Sequence, residues 1–176
     1  MTIAAPPRSK LSLAREGVAL AGGAVVFLLA AAGLGNAWLA REPMPEDLRD
    51  AAVVAHLTTV LIALPLGLSQ LVLPKGTFRH RTVGYIWVAL MTTTALVSFA
   101  IHGINPNGLS WIHIFSVLTL VGMPFVVLFA RRGEVERHRS TVLSMIIGGL
   151  VIAGLFIFIP GRALGLLVFR LFGQSG

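Results

Sequence analysis

Residues 51–73 read AAVVAHLTTVLIALPLGLSQLVL, a run with no acidic side chain, lysine or arginine. A helix rises about 1.5 Å per residue, so the run is long enough to cross the roughly 30 Å hydrocarbon core of a bilayer. Lipid offers no partner to a peptide group, so a segment immersed in it has to be helical. A soluble helix of this length would carry a charged face. This one has only His56, Thr58, Thr59, Ser69 and Gln70 as polar side chains. It reads as a transmembrane helix.

Four more apolar runs of similar length lie on either side, at 17–40, 82–102, 110–130 and 141–159. Turn residues separate them: Pro43 and Pro45, then Pro74-Lys75-Gly76, then Asn105-Pro106-Asn107-Gly108, then Gly133. The expected fold is all-α, one domain over residues 1–176 with five transmembrane helices. Composition agrees: 56% of residues are hydrophobic and 12% charged, where a soluble domain is roughly a quarter charged. The first run follows Arg8, Lys10 and Arg15. It exceeds the roughly 7–15 apolar residues of a signal peptide, and no small-x-small cleavage site follows it, so it reads as an uncleaved helix.

The net charge of +7 points to location rather than to a nucleic-acid partner, because the basic residues cluster in short loops. Arg8, Lys10 and Arg15 precede helix 1. Lys75, Arg79 and Arg81 lie between helices 2 and 3, and Arg131, Arg132, Arg137 and Arg139 between helices 4 and 5. Alternating topology puts all three clusters on one face, opposite an acidic loop with Glu42, Glu46, Asp47 and Asp50. The positive-inside rule then makes the N-terminus cytoplasmic and the C-terminus external, in a cell (inner) membrane. The apolar tail 163–172 is expected along the outer surface or as an extension of helix 5.

The chain has no cysteine, which excludes disulfides, thiolate metal sites and covalent haem attachment. No Asp or Glu lies within a span, against a carboxylate-based transporter. There is no phosphate-binding loop, nucleophile elbow or zinc-protease motif, so a stand-alone enzyme is not indicated.

Self-similarity carries the functional reading. His56-Leu-Thr-Thr-Val-Leu in helix 2 matches His113-Ile-Phe-Ser-Val-Leu in helix 4, and Pro65 with Gly67 matches Gly122 with Pro124. The loops Lys75-Gly76…Arg79-His80-Arg81 and Arg132-Gly133…Arg137-His138-Arg139 follow in register, with one residue inserted. Helices 2–3 and 4–5 are therefore expected to form a parallel pseudo-twofold repeat about the membrane normal. His56 and His113 would then face each other near the outer side, and His80 and His138 near the inner side. Opposed imidazoles are what a six-coordinate haem iron requires. Thr59 and Ser116 are the expected partners orienting the outer rings. The competing readings are hydrogen bonds between helices for His56 and His113, and lipid-phosphate anchoring for His80 and His138 among their arginines. His56, His113 and His102 could alternatively form a metal site on the outer face. Arg79, Arg81, Arg137 and Arg139 are candidates for lipid phosphates or haem propionates.

Lys75-Gly76-x-x-x-His80-Arg81-x-x-Gly84, the later His138-Arg139 with Met145, and Ala153-Gly154-Leu155…Pro160-Gly161-Arg162 resemble the bacterial membrane proteins with domain of unknown function 2306. The resemblance covers roughly residues 50–162. That family is loosely similar to two-haem cytochrome b and ferric-reductase membrane domains, which use histidines from alternate helices. The paired histidines favour haem b as cofactor, with a redox partner or larger complex in the membrane. The alternatives are a non-catalytic membrane subunit or assembly factor, and an outer-face metal or solute transporter.

Overall fold

The computed structural model describes residues 10–39, 45–101, 110–159 and 162–173. The helices are α1 (Lys10–Leu39), α2 (Ala51–Val72), α3 (Phe78–Ser98), α4 (His113–Arg131), α5 (Val135–Leu155) and α6 (Ala163–Leu171). Short 3₁₀ turns at Glu46–Arg49 and Phe156–Phe158 flank α2 and α5. No strand occurs among the described residues.

Four of these helices, α1, α2, α4 and α5, are long and apolar enough to cross a membrane. The fifth expected span, α3, has the length at 21 residues. Arg79, Arg81 and Thr92-Thr93-Thr94 make it less apolar than the other four. Three helices begin before their apolar windows, while α3 ends at Ser98 rather than 102 and α4 begins at His113 rather than 110. α1 begins at Lys10 rather than 17, α3 at Phe78 rather than 82, and α5 at Val135 rather than 141. Hydropathy marks only the part suited to lipid, whereas backbone hydrogen bonding continues through the polar turn at each end.

Local chemistry fixes the ends. Asp50 caps α2, its Oδ1 accepting from the Ala52 N–H at 2.7 Å and the Val53 N–H at 3.2 Å. Thr77 caps α3 by accepting from the His80 N–H. At the end of α2 the Lys75 ammonium donates to the carbonyls of Gln70 and Leu71, which otherwise lack a helical partner. Gly76 then takes φ 75°, a left-handed turn that glycine accepts without strain.

Side-chain pairs define the directions. His56 and Thr59 meet Thr94, while Gly67 meets Trp87 and Gln70 meets Gly84. α2 and α3 are therefore antiparallel. Val126 with His138 and Gly122 with Met145 make α4 and α5 antiparallel too. Glu16 with Arg139, Gly22 with Val151, and Val26 with Gly154 set α1 parallel to α5. Consequently Lys10, Arg15, Lys75, Arg79, Arg81, Arg131, Arg132, Arg137 and Arg139 gather at one end of the bundle, here the basic end.

The distribution of apolar residues suits lipid. Trp87, Leu64, Met91, Met123, Ile146 and Leu150 fill the interior, while Leu28, Ile62, Leu96, Leu118 and Val121 face outward. α1 packs through small residues, Ala19, Gly23, Ala30, Gly33 and Ala37, which let helix backbones approach closely. The apolar tail forms a helix that packs on α1. Leu164 and Leu167 are buried against Ala30 and Ala37, and a Cβ placed on Gly33 would touch Val168. The short α6 thus docks on α1, because its Leu164, Leu167 and Val168 share one helical face.

Candidate functional site

The buried side of α3 organises the interior. His80, Gly84, Trp87, Met91, Thr94 and Ser98 recur every three or four residues, so they line one helical face. Two cavities open along it. The one at the basic end has a volume of about 460 Å³, and His80, Gln70, Trp87, Arg81, His138 and Arg139 are among its walls. The one at the far end, of about 300 Å³, is bordered by His56, Met91, Thr94, Ser98, His113 and Arg162 among others. Trp87 lines the first and Met91 the second, one helical turn apart on α3.

At the basic end the His80 and His138 rings stand with centroids 6.4 Å apart and planes at 81°. The His138 Nδ1–H donates to the Val126 carbonyl at 2.9 Å. A carbonyl can only accept, so the proton sits on Nδ1 and Nε2 carries the lone pair. Among the described residues, His80 Nδ1 is buried without a hydrogen-bond partner, as are Gln70 Nε2 and Trp87 Nε1. The last two are donors, so an occupant bearing an acceptor, water included, would satisfy them.

The arginines divide. Arg139 is held by Glu16 at 2.6 Å and also donates to Ser12. Arg81 lines the cavity with it. Arg137 pairs instead with Glu134 at 2.7 Å and stacks over Phe129. Arg79 is exposed and does not line the cavity. Of the four arginines, Arg81 and Arg139 therefore line the cavity, with Arg139 already paired to Glu16.

At the far end both histidines lean on α3 rather than symmetrically on each other's hairpins. The His56 Nδ1–H donates to the Thr94 carbonyl at 3.1 Å. His113 is buried and both its nitrogens are engaged. Its Nδ1 lies 3.0 Å from both the N–H and the carbonyl of Ser110, and its Nε2–H donates to the Ser98 carbonyl at 3.0 Å. Phe99 stacks on its ring at 5.5 Å. His113 thus has the hydrogen-bonded interhelical role weighed for it above.

Thr59 and Ser116 do not orient the rings as expected. Thr59 donates back to the Ala55 and His56 carbonyls and accepts from Thr94, and Ser116 bonds Ser98. Helical hydroxyls reach the carbonyl a turn earlier more easily than a ring on the same face. His102 lies outside the described residues, so its place beside His56 and His113 does too. Among the described residues no three histidine, aspartate or glutamate side chains converge as a metal site.

Sequence reasoning passed over Trp87 and Ser98, put Gln70 only on the helix face that bears His56, and read Thr94 only as bonding back to its own helix. The three- and four-residue spacing along α3 was the available signal for Trp87, Thr94 and Ser98. Backbone acceptors such as Val126 and Thr94 leave no trace in residue identity. No family model, curated protein or solved structure matches the chain. The fold and cavities define a membrane-type helical bundle with histidines facing its interior.

Proposed function

We propose that the protein is a multipass membrane electron carrier that binds haem b between His80 and His138. The carrying observation is the ring separation. Two imidazole nitrogens on opposite sides of a metal, each about 2 Å from it, bring the ring centroids about 6 Å apart. The 6.4 Å between His80 and His138 matches that spacing. Fixing the proton of His138 on Nδ1 by a backbone carbonyl is the usual way a metal-binding imidazole is oriented. The cavity offers apolar walls for a porphyrin from Val88, Val126 and Val142, and Arg81 and Arg139 for its propionates. When bound, haem supplies one-electron chemistry. The chain's own residues would hold it, neutralise its carboxylates and keep water away.

The far-end pair supports a second haem less well, because His113 would have to release Ser98 before its Nε2 could reach a metal. Its hydrogen bonding favours a structural role. We further infer that α3 is a fifth span, since it pairs along α2 and turns back at the basic end. The α2–α3 and α4–α5 hairpins read as repeated units, supported by His80 meeting His138. The positive-inside rule supports a cytoplasmic basic end in a cell (inner) membrane, with α6 outside. Electrons would then pass to a redox partner or larger complex in the membrane.

Absorption spectra of purified protein, oxidised and reduced, test the reading. A low-spin b-type spectrum that His138→Ala abolishes, while the protein still inserts, is expected. Protein with no haem absorbance after haem-replete expression overturns it.

A further inference from the structure

Two side chains in the floor of the basic-end cavity carry an N–H and have nothing to give it to. They are Gln70 of α2 and Trp87 of α3, whose Nε2 and Nε1 find no acceptor among the described residues. Gln70 is 5% exposed and Trp87 1%, so bulk water does not serve them either. Glycines on the facing helix make room for both. A Cβ on Gly84 would lie 3.3 Å from Gln70 Oε1, and one on Gly67 would lie 2.6 Å from Trp87 Nε1. Gly67 and Gln70 are one turn apart on α2, as are Gly84 and Trp87 on α3. The antiparallel pairing therefore brings the two donors to neighbouring turns of facing helices, and both line the cavity.

A buried donor without an acceptor destabilises the protein that holds it, so the floor favours an occupant that brings acceptors. The walls decide which kind. Among the described residues Lys75, Arg81, Arg131 and Arg139 line the cavity with one acid, Glu16, which Arg139 binds. That balance favours an anion over a neutral carbonyl or ether. A carboxylate suits two N–H groups best. It offers one oxygen to each, and N–H bonds to an ionised acceptor are roughly twice as strong as neutral ones. Phosphate carries more charge, so burying it this deep costs more. Leu71, Val88 and Val126 are also in the walls, so the rest of the occupant is apolar.

We propose that Gln70 and Trp87 form a carboxylate site in the basic-end cavity, which takes the acid group of an otherwise apolar ligand. A propionate of haem b and the head of a long-chain fatty acid share that chemistry. The haem source rests on the reading above, and adds to it that one propionate goes to two neutral N–H donors rather than to Arg81 or Arg139. The fatty-acid source stands without any haem.

The test compares each acid with its ester on the purified full chain in detergent. Palmitate is set against methyl palmitate on protein prepared without haem, and reduced haem b against its dimethyl ester. Besides affinity, the readout is the indole N–H signal of Trp87 in NMR of protein with labelled tryptophans. Trp38→Phe and Trp111→Phe, at exposed positions, assign the other indole signals. In one pair or both, the acid is expected to bind about tenfold more tightly than the ester. It should also move the Trp87 signal downfield relative to the ester-bound protein. Gln70→Leu should remove the preference and leave ester affinity unchanged. The indole signal decides on unmodified protein even if that variant fails to fold. A palmitate preference in protein that takes up no haem supports the site and rejects the haem reading alone. Haem bound only as tightly as its ester, with palmitate bound no better than methyl palmitate, overturns the site and leaves the haem reading standing. A preference that Gln70→Leu does not change, or an indole signal that no acid moves, also overturns it, the two donors then being met by water only.

Discussion

A Cβ added to Gly67 would lie 2.6 Å from the indole nitrogen of Trp87, and Trp87 is a large, fully buried side chain. Gly67→Ala should therefore lower stability by about 1–3 kcal/mol, the cost of overpacking a core. Thermal unfolding in detergent checks it, with Gly35→Ala, which meets nothing within 4 Å, expected to be near neutral. His113 makes a second case. Replacing it with alanine leaves the buried Ser98 carbonyl without its imidazole donor and removes the ring stacked on Phe99. A loss of about 1–3 kcal/mol is expected, with any basic-end haem retained. Residues of this kind were only partly legible in the sequence. That an imidazole sits inside a membrane helix is visible at His56 and His113. Which atom it bonds is not, because the acceptors are backbone carbonyls of another helix.

At the scale of elements, the apolar runs and the Pro and Gly breaks between them announced the helices, and the structure places helices at each of those runs. Their ends were less legible, since polar turns such as Phe78-Arg79-His80-Arg81 and Val135–Ser140 belong to helices that hydropathy alone truncates. α1 shows what tertiary contact adds. Glu16, which precedes the expected span, is buried and bound to Arg139 of α5 at 2.6 Å. Removing one partner strands the other in a poorly solvated place. Glu16→Ala should thus destabilise the α1–α5 contact by about 3 kcal/mol, with the Glu16→Ala/Arg139→Leu pair less harmful than the sum of the single changes. Unfolding of the four proteins in the same detergent reads this. Equal, additive losses would mean that the pair is not coupled.

At the scale of the molecule, the charges gather at one end, and the positive-inside rule turns that into an expected orientation. Cysteine introduced at Gly76 or Gly133, in the turns of the basic end, should be labelled in intact cells only by reagents that cross the membrane. Cysteine at Leu48 or Trp111, toward the far end, should react with impermeant ones. The reverse pattern would invert the topology and place the basic-end cavity outside. The cavities themselves could not be read from the sequence, because they depend on how the α3 face meets α2, α4 and α5 at once. Whether His80 and His138 together hold haem b is read by quantifying extracted haem per chain. About one haem b per chain is expected in the unmodified protein and in His113→Ala. His80→Ala and His138→Ala, inserted at normal levels, should hold none in low-spin form. Haem-free unmodified protein, or a low-spin spectrum that survives both replacements, would contradict it.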